Sequence, residues 1–172
     1  AAPAAVVHGV RQLRRLVLGG RLVVAGFALL GGLAVLRRVV ADMHDTMMDF
    51  RLTYGFGRAI AAPQIGVAKR LIYMFIDQPV VLINPVLFDL SKDMMTVWDN
   101  CMSFPHLQVK VKRHKTGRIT FRNLKFNEIS WNLDGDLSEL LQHECDHLDG
   151  ILAVQRAIDP KSFAVRAPKA PH

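Results

Sequence analysis

The sequence predicts an α+β domain, a run of antiparallel strands bracketed by two helices. Three observations carry that expectation. Leu33, Leu36, Val40, Met43, Met47 and Phe50 recur at three- and four-residue steps, one apolar stripe of a helix. Several β-branched or aromatic segments between residues 70 and 133 are separated by turn-forming clusters. Residues 136–150 then read as a second, capped helix.

A chain of 172 residues, 51% hydrophobic, suits one globular domain with a substantial core. Its two cysteines give no disulfide framework, which favours a reducing compartment or a metal role. The net charge of +7 suits an anionic partner without naming one.

The first 41 residues hold six arginines and neither lysine nor acid. Within them Leu22 to Leu36 is an uncharged run of 15 residues bracketed by Arg21 and Arg37, short of the ~20 an ordinary membrane span needs. We read the run as core, with an organellar transit segment as the alternative, since such segments are Arg-rich and acid-poor. No membrane span is expected. The organisation expected is an atypical N-terminal segment (1–32), a catalytic domain (33–159) and a Pro-containing basic tail (160–172).

From Leu33 to about Tyr54 the helical stripe is read as core, its methionines included. Tyr54 to Gly66 breaks the pattern, and small residues crowded ahead of Pro63-Gln64 let backbone come close to something. Gln64 offers a neutral amide donor that polarises a carbonyl without adding charge. The segment lacks the Lys-Ser/Thr of a phosphate loop, so nucleotide binding is not supported. Strands are expected at Arg70–Ile76, Val80–Phe88 and Met94–Trp98, the last delivering the chain to Cys101 ahead of Pro105. Val109 to Ile119 is expected as one strand whose Lys110, Lys112, Arg113, Lys115 and Arg118 make a solvated basic face. That reading is preferred to a nucleic-acid contact, and no specific DNA binding is expected. A further strand, Asn127 to Leu133, leads through Asp134-Gly135 into the second helix.

That helix carries the chemistry. In Gln142-His-Glu-Cys-Asp-His147, the two histidines lie about 40° apart on the helical wheel, with Glu144 beside them on the same face. Imidazoles one turn apart share a divalent metal, and an adjacent carboxylate handles the proton of a bound water. Cys145 falls about 200° from His143 and points away. Asp136-Leu-Ser-Glu139 reads as a capping box and Gly150 as the C-terminal stop. A third ligand must come from elsewhere. The thiolate of Cys101 is the better guess over a buried apolar thiol, because metal binding favours its deprotonation.

Three segments in order, Gly57-Arg-Ala-Ile-Ala-Ala-Pro-Gln64, Asp99-Asn-Cys-Met-Ser103 and Gln142-His-Glu-Cys-Asp-His147, resemble the peptide deformylase family. The resemblance runs from about Val39 to Ile158 and takes in Asp42 to Met47 and Leu82-Ile-Asn-Pro85. Two positions depart: Ala59 stands where the family usually has Gly, and Asp-Asn-Cys-Met-Ser where it has Glu-Gly-Cys-Leu-Ser. The family's N-terminal Gly-Asp-Pro-Arg-Leu stretch is not recognisable here.

The resemblance implies antiparallel sheets wrapped around a central metal helix. Cys101, His143 and His147 would be the ligands, with water in the fourth place. Glu144 would take the water's proton and return it to the departing amine, while Gln64 and the Met102 backbone N–H would hold the oxyanion. Gly57 and Ala59 would border the substrate. The implied metal is Fe²⁺, with Zn²⁺, Ni²⁺ or Co²⁺ able to substitute. The implied substrate is the N-formyl-methionine end of a nascent peptide, with formate as product.

The resemblance also places Arg113 between Asp99 and Asp146. Glu139, one turn before His143, stands where the family is usually apolar and lines the methionine pocket. The capping-box reading is preferred for it. A bacterial cytoplasmic protein is expected, with mitochondrion or plastid the alternative if residues 1–41 include a transit segment. The basic strand offers a ribosome surface contact.

Two rivals are set against this reading. A His-Glu-x-x-His metallopeptidase would need a third ligand where Ala153 stands, or Asp149 or Asp159 as a substitute. A deformylase-derived binding module would keep the metal and lose turnover.

Overall fold

The structure, a computed structural model, describes residues 30–166. The expectations for residues 1–29, the Arg-rich segment and its transit alternative among them, therefore lie outside the described residues.

Helix α1 spans Leu30–Tyr54, followed by β1 (Ala59–Ala61) and a 3₁₀ turn at Ala62–Ile65. Then come β2 (Leu71–Phe75), β3 (Pro79–Phe88), β4 (Met94–Asn100), β5 (Leu107–His114), β6 (Thr116–Arg122) and β7 (Glu128–Asp134). Helix α2 (Gly135–Leu148), a 3₁₀ turn at Ala153–Arg156 and β8 (Phe163–Val165) complete the chain. The strands make a five-stranded antiparallel sheet, order β1-β2-β3-β6-β7, and a three-stranded one, order β4-β5-β8.

The strand period of two splits the larger sheet between the helices. Ile72, Met74 and Leu82 point to one face, where Leu140, Leu141 and Cys145 of α2 complete a cluster with Ile119, Phe121 and Leu133. Leu71, Tyr73, Val81 and Ile83 point to the other, against Leu36, Met43 and Met47 of α1. The methionine stripe is therefore core. A third cluster, Cys101, Val109, Val111 and Ala153, fills the space under the smaller sheet. Every residue of α2 from Ser138 to His147 is buried, so the metal-motif helix is enclosed on all sides. No described helix is long and apolar enough to cross a membrane.

Two expectations are corrected. The single strand at Val109–Ile119 is two strands in different sheets, with the chain crossing at Lys115. At the crossing the peptide groups of His114 lack the continuous ladder of a sheet interior. The Gln142 side chain takes their place: its carbonyl accepts from His114 N–H at 3.0 Å and its amide donates to His114 C=O at 2.9 Å. Ser138 Oγ donates to the same carbonyl at 2.8 Å. The basic face is as expected at Lys112, Lys115 and Arg118, which are exposed, but Arg113 leaves it: like Val109 and Val111 it is buried, because its guanidinium turns inward to Asp99 and Asp146.

The second correction concerns the capping box. Helix α2 begins at Gly135, directly out of β7, and its N-terminal flanking residue Asp134 makes no side-chain cap. Asp136 already lies in the first turn and Glu139 in the second, where its carboxylate pairs with Arg58 instead. At the other end Gly150 (φ 76°) follows the last helical residues, and its N–H donates to His147 C=O. The stretch set off as a tail contains β8, which pairs with β5.

Candidate metal centre

Cys101 stands immediately after β4, and α2 carries His143, Glu144 and His147 into the gap between the two sheets. The three nucleophilic atoms converge: His143 Nε2 lies 3.0 Å from His147 Nε2, and His147 Nε2 lies 3.3 Å from Cys101 Sγ. All three residues are buried, and their donor atoms fall within 4.8 Å of one another. His143 Nδ1 lies 2.7 Å from the buried Asp99 carboxylate. That contact keeps a ring proton on Nδ1 and turns Nε2 toward the cluster.

Asp99 is held in turn by Arg113, which donates to it at 2.8 Å and to Asp146 at 2.6 Å. Arg113 thus sits between the two carboxylates, as expected. Arg156 closes the far side of Asp146 at 2.7 Å. A second trio, Asp99, Glu139 and His143, is equally close, but both of its carboxylates already face arginines.

Charge follows the same geometry. Burial alone would raise the Cys101 thiol, but hydrogen bonds and positive charge from His143 and His147 outweigh it and bring the pKa to about 5. Burial would lower His143, yet Asp99 and Cys101 hold it well above the usual histidine range. Glu144 is raised to about 7 by burial, despite the nearby histidines. Its Oε2 is buried without a hydrogen-bond partner.

These observations fit a bound cation. Soft thiolate and imidazole donors aimed at one point suit a first-row divalent metal, and the orphaned Glu144 oxygen suits a ligand brought by it.

The cluster opens into a cleft of about 560 Å³ that is also lined by Gly57, Arg58, Ala59, Gln64, Met102 and Glu139. Gln64 Oε1 accepts from Ala61 N–H at 2.9 Å, leaving its amide as a donor, 3.3 Å from Ser103 Oγ. Met102 N–H makes no hydrogen bond within the described residues. Gly57 has φ 126°, a conformation other residues rarely adopt, and its carbonyl accepts from Arg51 at 2.8 Å. Ala59 sits in β1, the edge strand of the larger sheet, so strand backbone borders the cleft. Gly57, Ala59, Gln64, Met102, Glu139 and Glu144 thus line one cleft beside the Cys101, His143 and His147 cluster.

Sequence reasoning missed two features of the cleft. One is the Arg58–Glu139 pair at 2.8 Å. The other is Arg166, which donates to Asn100 Oδ1 at 3.0 Å and stacks 3.8 Å from the Phe56 ring centroid. No local pattern announces Arg166, because it comes from beyond β8.

The metallopeptidase reading fails on the same geometry. Ala153 packs beside Cys101 in the third cluster, Asp149 pairs with Arg70 at the surface, and Asp159 caps its own turn through Ser162.

Two histidines, a cysteine and a buried carboxylate at the head of an open cleft define a metal-assisted hydrolase. The sequence model of the polypeptide deformylase family matches residues 32–163. A peptide deformylase 2 of Gloeobacter violaceus is 36% identical over 145 residues, 76% of this chain and 75% of that protein. A peptide deformylase of Thermotoga neapolitana is 30% identical over 132 residues, 76% of this chain and 77% of that one. Among solved structures, a peptide deformylase from Synechococcus elongatus in complex with actinonin superposes with a TM-score of 0.68 at 31% identity, over 73% of this chain and 67% of that one. The chain belongs to the polypeptide deformylase family.

Proposed function

We propose that Cys101, His143 and His147 hold one divalent cation and that Glu144 carries the proton in the hydrolysis of an N-formyl amide. The chain is a peptide deformylase, a hydrolase that removes the formyl group from N-formyl-methionine at the start of newly made polypeptides and releases formate. The convergence of two Nε2 atoms and Cys101 Sγ beside a buried, unsatisfied Glu144 carries the assignment of roles.

The bound cation supplies Lewis acidity, polarising the formyl oxygen and acidifying water. Glu144, raised to about 7, accepts a proton near neutral pH as water attacks the formyl carbon. It then delivers that proton to the departing amine. The Gln64 amide and the Met102 N–H are the donors for the oxygen as it gains charge, and neither is consumed by a stronger partner. The free edge of β1 offers backbone groups to an extended peptide. Asp99 keeps His143 in its ligating tautomer.

We assign Fe²⁺ as the metal in the cell, with Zn²⁺, Ni²⁺ and Co²⁺ as substitutes that thiolate and imidazole also accept. The exposed basic residues Lys112, Lys115 and Arg118 offer a patch for contact with the ribosome surface. The compartment follows from the substrate: bacterial cytoplasm, or mitochondrion or plastid if residues 1–41 act as a transit segment.

Substituting Cys101, His143 or His147 by Ala is expected to remove most bound metal, whereas Glu144→Gln keeps metal and stops formate release from formyl-Met-Ala-Ser. Metal analysis of the purified variants and an anaerobic assay with Fe²⁺ or Ni²⁺ check both. Full occupancy in Cys101→Ala would remove the thiolate from the ligand set.

A further inference from the structure

The side chain of the residue bearing the formyl group must lie in the cleft beside the cluster. In this chain the wall there is an ion pair. Arg58 on the approach to β1 donates to Glu139 Oε2 at 2.8 Å, and Glu139 projects from α2 one turn before His143. The Arg58 side chain is 44% exposed and that of Glu139 12%, so the guanidinium faces the opening over a nearly covered carboxylate. Only one Arg58 N–H is used, and Glu139 Oε1 has no partner within the described residues. The wall therefore presents unspent donors beside an unspent acceptor.

An aliphatic side chain would cover both without satisfying either, leaving polar groups desolvated. A carboxylate would meet Glu139 and an ammonium would meet Arg58. A neutral carboxamide matches both, its oxygen accepting from Arg58 and its nitrogen donating to Glu139. A methionine thioether is a weak acceptor and stands between the aliphatic and amide cases.

We propose that Arg58 and Glu139 are specificity-determining residues that adapt the pocket to an uncharged, hydrogen-bonding first side chain, so that formyl peptides beginning with glutamine are substrates alongside those beginning with methionine. The proposal rests on the deformylase reading and names the substrate range of the same site.

Formyl-Gln-Ala-Ser, formyl-Met-Ala-Ser, formyl-norleucine-Ala-Ser and formyl-Glu-Ala-Ser separate the cases, because norleucine keeps methionine's shape without its sulfur. With Ni²⁺-loaded protein, kcat/KM is expected to fall in the order Gln, Met, norleucine, with Glu below Gln. In Arg58→Leu/Glu139→Leu the ratio of Gln to norleucine should drop by about tenfold or more, the scale on which buried polar groups reject a partner that cannot pair with them. A wild-type protein that ranks norleucine above Gln, or a double variant that leaves the ratio unchanged, overturns the proposal. If the double variant does not fold, Arg58→Met alone reads out the same ratio. If no peptide releases formate from metal-loaded protein, the deformylase reading fails instead. Calorimetric binding of the same peptides to wild-type protein then still decides the pocket, with Gln above norleucine in support and the reverse against.

Discussion

Cys101 and His143 carry their charges because of each other. In the metal-free protein the thiol titrates at about 5, so it is already a thiolate at neutral pH, while Asp99 and Cys101 keep His143 protonated above the usual range. Ligation needs the neutral imidazole, so the proton displaced by an incoming metal comes from the ring and not from sulfur. Raising the pH strips that proton beforehand. Metal affinity should therefore rise with pH, by about tenfold per unit while one proton is displaced, and level off above the elevated His143 pKa. Competition titrations with Zn²⁺ at pH 6, 7 and 8 measure this, and a flat affinity would show that His143 is not the protonated partner. At this scale the sequence was informative where chemistry demands a residue type at a fixed spacing. His143, Glu144 and His147 share a helix face, and Cys101 and Gln64 each sit in a short stretch of unusual composition. The Arg58–Glu139 pair was not legible, because its members lie 81 residues apart. Glu139 also had a satisfactory local reading in the capping pattern, which only the true helix start at Gly135 rules out.

At the scale of elements, the joint between β4, β5 and α2 is made by Arg113. Its guanidinium, 4% exposed, spans Asp99 at the end of β4 and Asp146 on α2. Removing one member of such a buried network leaves the others charged and unpaired. Arg113→Ala should cost ~3 kcal/mol of unfolding free energy, read from denaturant melts with little change in slope. An unchanged midpoint would assign Arg113 to the solvated face of the strand. The pH dependence has a definite sign. Burial alone would raise Asp99, but His143 and Arg113 hold its pKa below the ordinary carboxylate value. Its contribution is thus present above the unfolded-state pKa and lost as pH falls through the folded one, so Arg113→Ala should blunt the acid limb of the stability curve. Helices α1 and α2 and most strands were readable from periodicity, since each has a face to bury. The change of sheet at Lys115 was not. The alternation at Val109 to Lys112 runs into an unbroken polar stretch up to Arg118 that does not mark where one sheet ends, and what holds the end of β5 is Gln142 of α2 bonding to His114, a partner that no local pattern announces.

For the whole molecule, a cation held by Cys101, His143 and His147 would also be a clamp. Cys101 belongs to the three-stranded sheet through β4, whereas His143 and His147 ride on a helix packed against the five-stranded one. A cation held by all three ties the two sheets at the point where Asp99 and Arg113 also join them. Binding to the folded state alone stabilises it by RT ln(1 + [L]/Kd), about 2.7 kcal/mol when free metal stands at a hundred times Kd. Each kcal/mol moves Tm by roughly 2–4 °C in a chain of this size, so chelation should lower Tm by roughly 5–10 °C. The drop should be smaller than loss of a whole cross-link would cause, because the metal-free thiolate still faces two imidazoles and keeps part of the contact. Cys101→Ala removes that residue of attraction along with the metal, so its Tm should lie below that of chelated wild-type protein and should not respond to added Zn²⁺. Scanning calorimetry on the four samples, wild type and Cys101→Ala each with metal and with chelator, tests the clamp. A wild-type Tm that is indifferent to chelation, with metal analysis confirming removal, would mean that the Arg113 network alone holds the sheets together.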